Sequence, residues 1–360
     1  MQGQSRKAFL ILLISLLVLL LILSGRTWGA FEKGLPLDMK EQRYPYQQLS
    51  MREKKLYTAL YNGIAAHEDT IGLPGMFKEE EYKRVYLLVA EQEPQFFYLD
   101  TVFETAEIMS EANIRYSLDA ETVRKMTIEM DAAADHILQG VSAGGDEIGK
   151  LLTIHDGIGK YCEYTEGEYS SEAYGCLVQG KAKCEGYAKA FLYVARRAGL
   201  NVMNVTGTDS RGENHVWNIA EADGHYCQID LTWDDDQRYE GKTVHACFAM
   251  PDKDFTDHTP DLSAYLPPAC EETDSLRMDY YKWNNHYLES ASELPEQIAS
   301  WPGATGAMEF RLSSSAELKE AIDLVKKSPK VHDAVQLASG AATYRAMADE
   351  ARNVLVILPS

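Results

Sequence analysis

Positive charge is scarce in this 360-residue chain, where 35 lysines and arginines face 55 aspartates and glutamates for a formal net charge of −20. A surface of that sign repels phosphate backbones and anionic headgroups, which excludes nucleic acid as a partner and confines membrane contact to apolar segments. Cysteine is also scarce. The six, at 162, 176, 184, 227, 247 and 270, are too few to staple a chain of this length, and a pair such as Cys247 with Cys270 has no support. Internal repeats and low-complexity tracts are absent. Long apolar runs are absent but for one, the sixteen residues Ala8–Leu23, interrupted only by Ser15 and preceded by Arg6 and Lys7. That run is expected to enter a membrane, as an uncleaved anchor over residues 1–30 or as a cleaved signal. The lack of a small-x-small cleavage pattern favours the anchor. A basic start keeps the N-terminus cytoplasmic, so the rest of the chain is expected outside the membrane, or secreted if the segment is removed.

What remains has an ordinary globular composition, 45% hydrophobic and 25% charged. Its most informative stretch begins at Gly180. Cys184, Tyr187, Ala188, Phe191, Val194, Ala195 and Ala198 share one face of a helix, and Gly199 is placed to end it. Cys184 therefore falls in the first turn. Unpaired N–H groups and the macrodipole favour a thiolate there, and Lys181 and Lys183 add positive charge.

Asn214–Glu221 and His225–Trp233 are β-rich runs around Asp223-Gly224, a strong hairpin signal. A two-residue turn that pairs Ala222 with His225 sets His215 opposite Thr232 and Trp217 opposite Asp230. His215 and Asp230 become diagonal neighbours on one face, ~7–8 Å apart at the backbone. A slip of one residue would put them on opposite faces. The same register turns Cys227 away from His215. Together these are the parts of acyl transfer from an amide: a thiolate nucleophile, an imidazole that holds and returns a proton, and a carboxylate that fixes the ring. The Cys184 N–H is a natural oxyanion donor, and Gln179, Tyr174 and Trp217 are the candidates for the substrate or second oxyanion position.

Tyr174–Phe191, His215–Asn218 and Ile229–Asp235 resemble, in order and spacing, the transglutaminase-like superfamily, most of all its bacterial membrane-anchored or secreted members. Weaker similarity runs through Ile154–Asp156 and Phe248–His258. The resemblance implies an α+β, papain-like core in which the helix carrying the cysteine packs on an antiparallel sheet. It also implies Cys184 as nucleophile, His215 as base and Asp230 as orienter. One departure is Lys183, where the family usually carries a small apolar residue such as valine.

Around this core, placed at 146–266 and bounded by Pro267-Pro268, the pattern sets a linker at 31–50 and a mainly helical region at 51–145. That region holds a short aromatic strand at Glu93–Tyr98 and a long polar helix from Asp119 to Gln139. Residues 267–360 read as a small C-terminal α/β appendage built from Met308–Leu312, Ser315–Lys327 and Val354–Leu358. Asp234–Asp236 with Glu240 lacks the alternation and glycine of a calcium loop and reads as a solvated turn. His155 and Asp156 fall on a helical stretch, Leu151–Tyr161, and read as structural. His225, His245 and His258 have no cysteine or acid partners at zinc-site spacing, so no metal and no cofactor is expected.

The expected function is a thiol enzyme forming an acyl-enzyme from an amide or peptide carbonyl. It would act as peptidase, amidase or transamidase on a protein, peptide or cell-wall peptide. The rival is a catalytically inactive surface module whose cleft binds peptides or a protein partner.

Overall fold

Capping residues set the helix starts in the computed structural model, which describes residues 43–100, 102, 104–141, 145–301 and 306–360. The expected membrane segment at 1–30 lies outside the described residues, as does the linker up to residue 42. Among the described residues no helix is long and apolar enough to cross a membrane.

Two compact units are formed, one from residues up to 89 with 100–115, the other from 90–99 with 116–360. In the first, Ser50 and Glu53 form a reciprocal capping box that starts α1 (Met51–Ala65). β1 (Thr70–Lys78), α2 (Glu79–Gln92) and β2 (Ile108–Asn113) follow, and β1 pairs antiparallel with β2.

The second unit carries the core. Glu93–Tyr98 is not the strand its aromatics suggested. Pro94–Phe96 forms a 3-10 turn, because proline brings no N–H to a ladder and the Phe96 N–H closes on the Glu93 carbonyl at 2.9 Å. Asp119 caps α3 (Ala120–Leu138) and Asp146 caps α4 (Glu147–Gly159). The short parallel pair β3 (Glu163–Tyr164) and β4 (Lys181–Ala182) leads into α5 (Cys184–Arg197).

The sequence marked one buried face on α5. In the structure every residue from Gly186 to Ala195 is buried. The helix is central, with β5 and β6 on one side and α3 and α4 on the other, so its polar-looking face is covered too. Lys189 on that face is answered by Glu172 at 2.9 Å and Glu185 at 2.9 Å. Gly186 permits close entry of the preceding loop, since a Cβ there would stand 2.3 Å from the Ser170 carbonyl oxygen.

β5 (Val202–Asp209), β6 (Asn214–Ala222), β7 (His225–Ile229) and, after the four-residue helix α6 (Leu231–Asp234), β8 (His258–Pro260) form a four-stranded antiparallel sheet in the order β7-β6-β5-β8. The β6–β7 turn has φ of 52° at Asp223 and 80° at Gly224, a turn with both central residues left-handed. Ala222 pairs with His225 and Asn218 with Ile229.

Beyond the core, β9 (Tyr287–Leu288), β10 (Met308–Leu312), helices α7 (Ser315–Lys327) and α8 (Pro329–Ser339), β11 (Tyr344–Asp349) and β12 (Val354–Pro359) make a second sheet in the order β11-β12-β10-β9. Its own apolar cluster includes Leu294, Phe310, Leu318, Val335 and Ile357. All six cysteines are free. The fold is α+β.

Candidate active site

Cys184 is the first residue of α5. Lys183 precedes it in extended conformation and gives no side-chain cap, so the N–H groups of the first turn have no intrahelical acceptor and present partial positive charge beside the thiol. Cys184 is half-buried, whereas the other five cysteines are buried.

His215 is the second residue of β6 and is only 7% exposed. Asp230 follows β7 directly, where the chain leaves the ladder and begins α6. One carboxylate oxygen, Oδ1, caps that helix by accepting from the Thr232 N–H at 3.0 Å and the Trp233 N–H at 3.3 Å. The other, Oδ2, accepts from His215 Nε2 at 2.7 Å. The Cys184 thiol lies beside the imidazole and helps to raise it. Helix start, hairpin and cap thus bring Cys184, His215 and Asp230 into one line.

Burial opposes charge on His215, yet the Asp230 carboxylate and the Cys184 contact outweigh it and push the imidazole up to about 10. Burial by itself would raise Asp230, but the His215 charge and hydrogen bonds from His215 and His258 hold it well below the carboxylate range. A protonated ring beside the sulfur stabilises negative charge there and has a proton to give to a leaving amine.

His258 is a fourth member that local spacing did not reveal. β8 pairs with β5 and brings its Nε2 to 3.0 Å from Asp230 Oδ2, while its Nδ1 lies 2.8 Å from Asp257 Oδ1. Asp257 is gripped at both oxygens by Arg352, at 2.8 and 3.0 Å, from the β11–β12 loop. The sequence marks His258 through the weak downstream similarity and through the lack of acid partners at zinc-site spacing, whereas the fold gives it two carboxylates. His245 likewise meets two carboxylates, Asp156 and Glu309, which are 89 and 64 residues away along the chain. Asp234 and Asp235 are a correction: both are buried, not solvated. Asp234 accepts the Cys247 N–H at 2.8 Å, and Asp235 accepts the Tyr187 hydroxyl.

The three lining candidates differ in their surroundings. Tyr174 donates its hydroxyl to Glu129 at 2.6 Å, an interaction that lifts the phenol to about 12. The Trp217 indole stacks on His215 with ring centroids 6.1 Å apart and donates to Gln228 at 2.8 Å. Gln179 is exposed at the end of a π-helical turn. Lys183 pairs with Glu166 at 2.7 Å.

Two open depressions share His215 as a wall. One, about 530 Å³, is lined on its acidic side by Glu91, Glu185 and Asp261. The other, about 540 Å³, is lined by Lys183, Arg211, Glu213 and Trp233. Burial, with Glu185 next in effect, pushes the Glu91 carboxyl up to about 7.

Residues 134–231 match the family model described as the Transglutaminase-like superfamily. Among solved structures, a candidate cysteine protease from Cytophaga hutchinsonii is 18% identical over 32% of this chain and 43% of its own length, with a TM-score of 0.26. A structure described as a TGase is 15% identical over 43% of this chain and 48% of its own, with a TM-score of 0.26. Menin, whose structure is described as revealing the binding site for the Mixed Lineage Leukemia protein, is 18% identical over 58% of this chain and 52% of its own, with a TM-score of 0.27. The chain therefore spans less than half the length of the first two of these proteins. No curated protein matches it.

Proposed function

With residues 134–231 forming a transglutaminase-like domain, we propose that the protein is a thiol enzyme in which Cys184 takes an acyl group from an amide or peptide carbonyl. The observation that carries this reading is the line from the Cys184 thiol through His215 to Asp230, closed at 2.7 Å, at the N-terminus of a buried helix.

In this reading the sulfur attacks the carbonyl carbon and the Cys184 N–H supports the oxyanion. The carbon–nitrogen bond then breaks as the imidazolium gives its proton to the departing amine, leaving a thioester. Neutral His215 next takes a proton from water or from a primary amine, whose attack breaks the carbon–sulfur bond and frees the thiol. Water yields hydrolysis; an amine yields transamidation. A protein, peptide or cell-wall peptide supplies the carbonyl, and the apolar N-terminal run supports placing the chemistry outside a membrane.

The test is the alkylation rate of Cys184 against pH in the full chain, beside His215→Ala, with peptide mass mapping to identify the modified thiol. Rapid alkylation from pH 6 to 8, at least ~10-fold slower in the variant, is expected of a thiol activated by a paired imidazole. A slow rate unchanged by the substitution would sink the enzyme reading and favour the peptide-binding module. Product analysis with and without a small primary amine separates hydrolysis from transamidation.

A further inference from the structure

A second polar centre lies apart from that line. α4 carries His155, whose side chain is fully buried, and Asp156, whose side chain is 52% exposed. His155 Nδ1 is 3.1 Å from Asp156 Oδ1, and His245 Nε2 is 2.9 Å from the same oxygen. The remaining nitrogens face two other carboxylates. His155 Nε2 is 3.1 Å from Asp234 Oδ2, and His245 Nδ1 is 2.6 Å from Glu309 Oε1. These outer carboxylates are themselves fixed. Asp234 Oδ1 accepts the Cys247 N–H at 2.8 Å, while Glu309 Oε2 accepts the His245 N–H and the Tyr281 hydroxyl, each at 2.9 Å.

All four ring nitrogens thus face carboxylate oxygens. Two neutral imidazoles carry only two N–H groups between them, so the four contacts are met either by a second proton on each ring or by a cation shared between the two inner nitrogens. One donor atom each of His155, Asp156 and His245 lies within 4.8 Å of the others, and the two inner nitrogens converge on Asp156 Oδ1.

We propose that His155 Nδ1, Asp156 Oδ1 and His245 Nε2 bind one divalent first-row metal ion, with Asp234 and Glu309 orienting the two rings from behind. The arrangement has the feature that metal-bound histidines require, a carboxylate accepting the N–H on the far side of each ring. Both nitrogen-to-oxygen separations suit neighbouring ligands on an ion with bonds of ~2.0–2.2 Å. Two imidazoles and one carboxylate select zinc or iron(II) over calcium or magnesium, and the exposed edge of Asp156 leaves room for water to complete the shell. The ion would tie α4, the loop at His245 and β10 together. It would also anchor the end of α6, whose other end begins with Asp230. The sequence hid the set because its members are scattered from 155 to 309.

The experiment uses the full chain bearing Cys184→Ala, so that the thiol supplies no ligand. The protein is stripped with a chelator and titrated with zinc by calorimetry, with cobalt(II) absorption as a second readout. One equivalent bound, with a higher melting temperature, is expected. Affinity should fall at least ~10-fold in Asp156→Asn and ~10–100-fold in Glu309→Gln, and stay unchanged in His258→Gln. Asp156 is half-exposed, so its variant tests the site without opening the core, and melting of the metal-free variant checks its fold. No saturable binding, binding unaltered by Asp156→Asn, or binding lost in His258→Gln would overturn the assignment. The readout is binding, so it stands or falls separately from the proposed catalysis.

Discussion

Replacing Asp230 by asparagine isolates the charge at the centre of the site. The variant keeps the cap, because an asparagine oxygen can still accept from the Thr232 and Trp233 N–H groups, and asparagine is among the best N-cap residues. What it removes is the negative charge that accepts from His215 at 2.7 Å and His258 at 3.0 Å in a site where Asp230 is 1% exposed. With the oxygen kept on the cap, the amide nitrogen stands where Oδ2 was and can only donate, so both charged bonds are lost, at ~1.5–3 kcal/mol each at least about 3 kcal/mol together.

The loss depends on pH with a definite sign. His215 is raised to about 10 in the fold, so its contribution is complete below the unfolded value of ~6.5 and fades as pH climbs toward 10. Asp230 is lowered, so its contribution is present above ~4 and disappears in acid. The stability gap between the native chain and Asp230→Asn should therefore be widest between about pH 4 and 6.5 and shrink toward pH 10. Urea unfolding at pH 5.5, 7.5 and 9.5 measures it. With a slope of ~3 kcal/mol/M the midpoint shifts by about 1 M at pH 5.5 and by much less at pH 9.5. A gap that is constant or grows with pH would refute the reasoning.

His258→Gln should leave the fold intact yet slow alkylation of Cys184 by about 10-fold, the equivalent of one weakened hydrogen bond. Equal rates in native and variant protein would show that Asp230 needs no second imidazole. Arg352→Lys keeps the charge but cannot reproduce the two-pronged grip on Asp257, so it should lower the melting temperature and slow the same alkylation by several-fold. An unchanged rate would detach the C-terminal sheet from the site.

Much of the site could be read from local signals. Asp223-Gly224 dictates its own turn and the turn fixes the register, but the ladder stops at Ile229, so the expected pairs of His215 with Thr232 and Trp217 with Asp230 do not form, and Asp230 reaches His215 from the cap of α6. The N-terminal place of Cys184 follows from apolar spacing and Gly199. His258 escaped because its partners arrive by β8 crossing to β5, a pairing that no nearby turn encodes. Asp234 and Asp235 looked like surface because acidic runs after a strand usually are. Their burial depends on a histidine, a tyrosine and a backbone N–H from elsewhere in the chain. The covered outer face of α5 was hidden for a similar reason, since only the tertiary fold brings α3 and α4 against it. In the C-terminal region the strand-helix-strand reading missed α8 and β11, and the β11–β12 hairpin makes β12 antiparallel to β10.

The contact between His245 and Glu309 also has a consequence in time. Their carboxylate and imidazole are 64 residues apart in the chain, and Glu309 comes last. At ~5–20 residues per second, a ribosome needs on the order of ten seconds to supply it. For that interval His245 has Asp156 within the emerged chain but lacks its second carboxylate, so this contact is completed only after the core has left the ribosome.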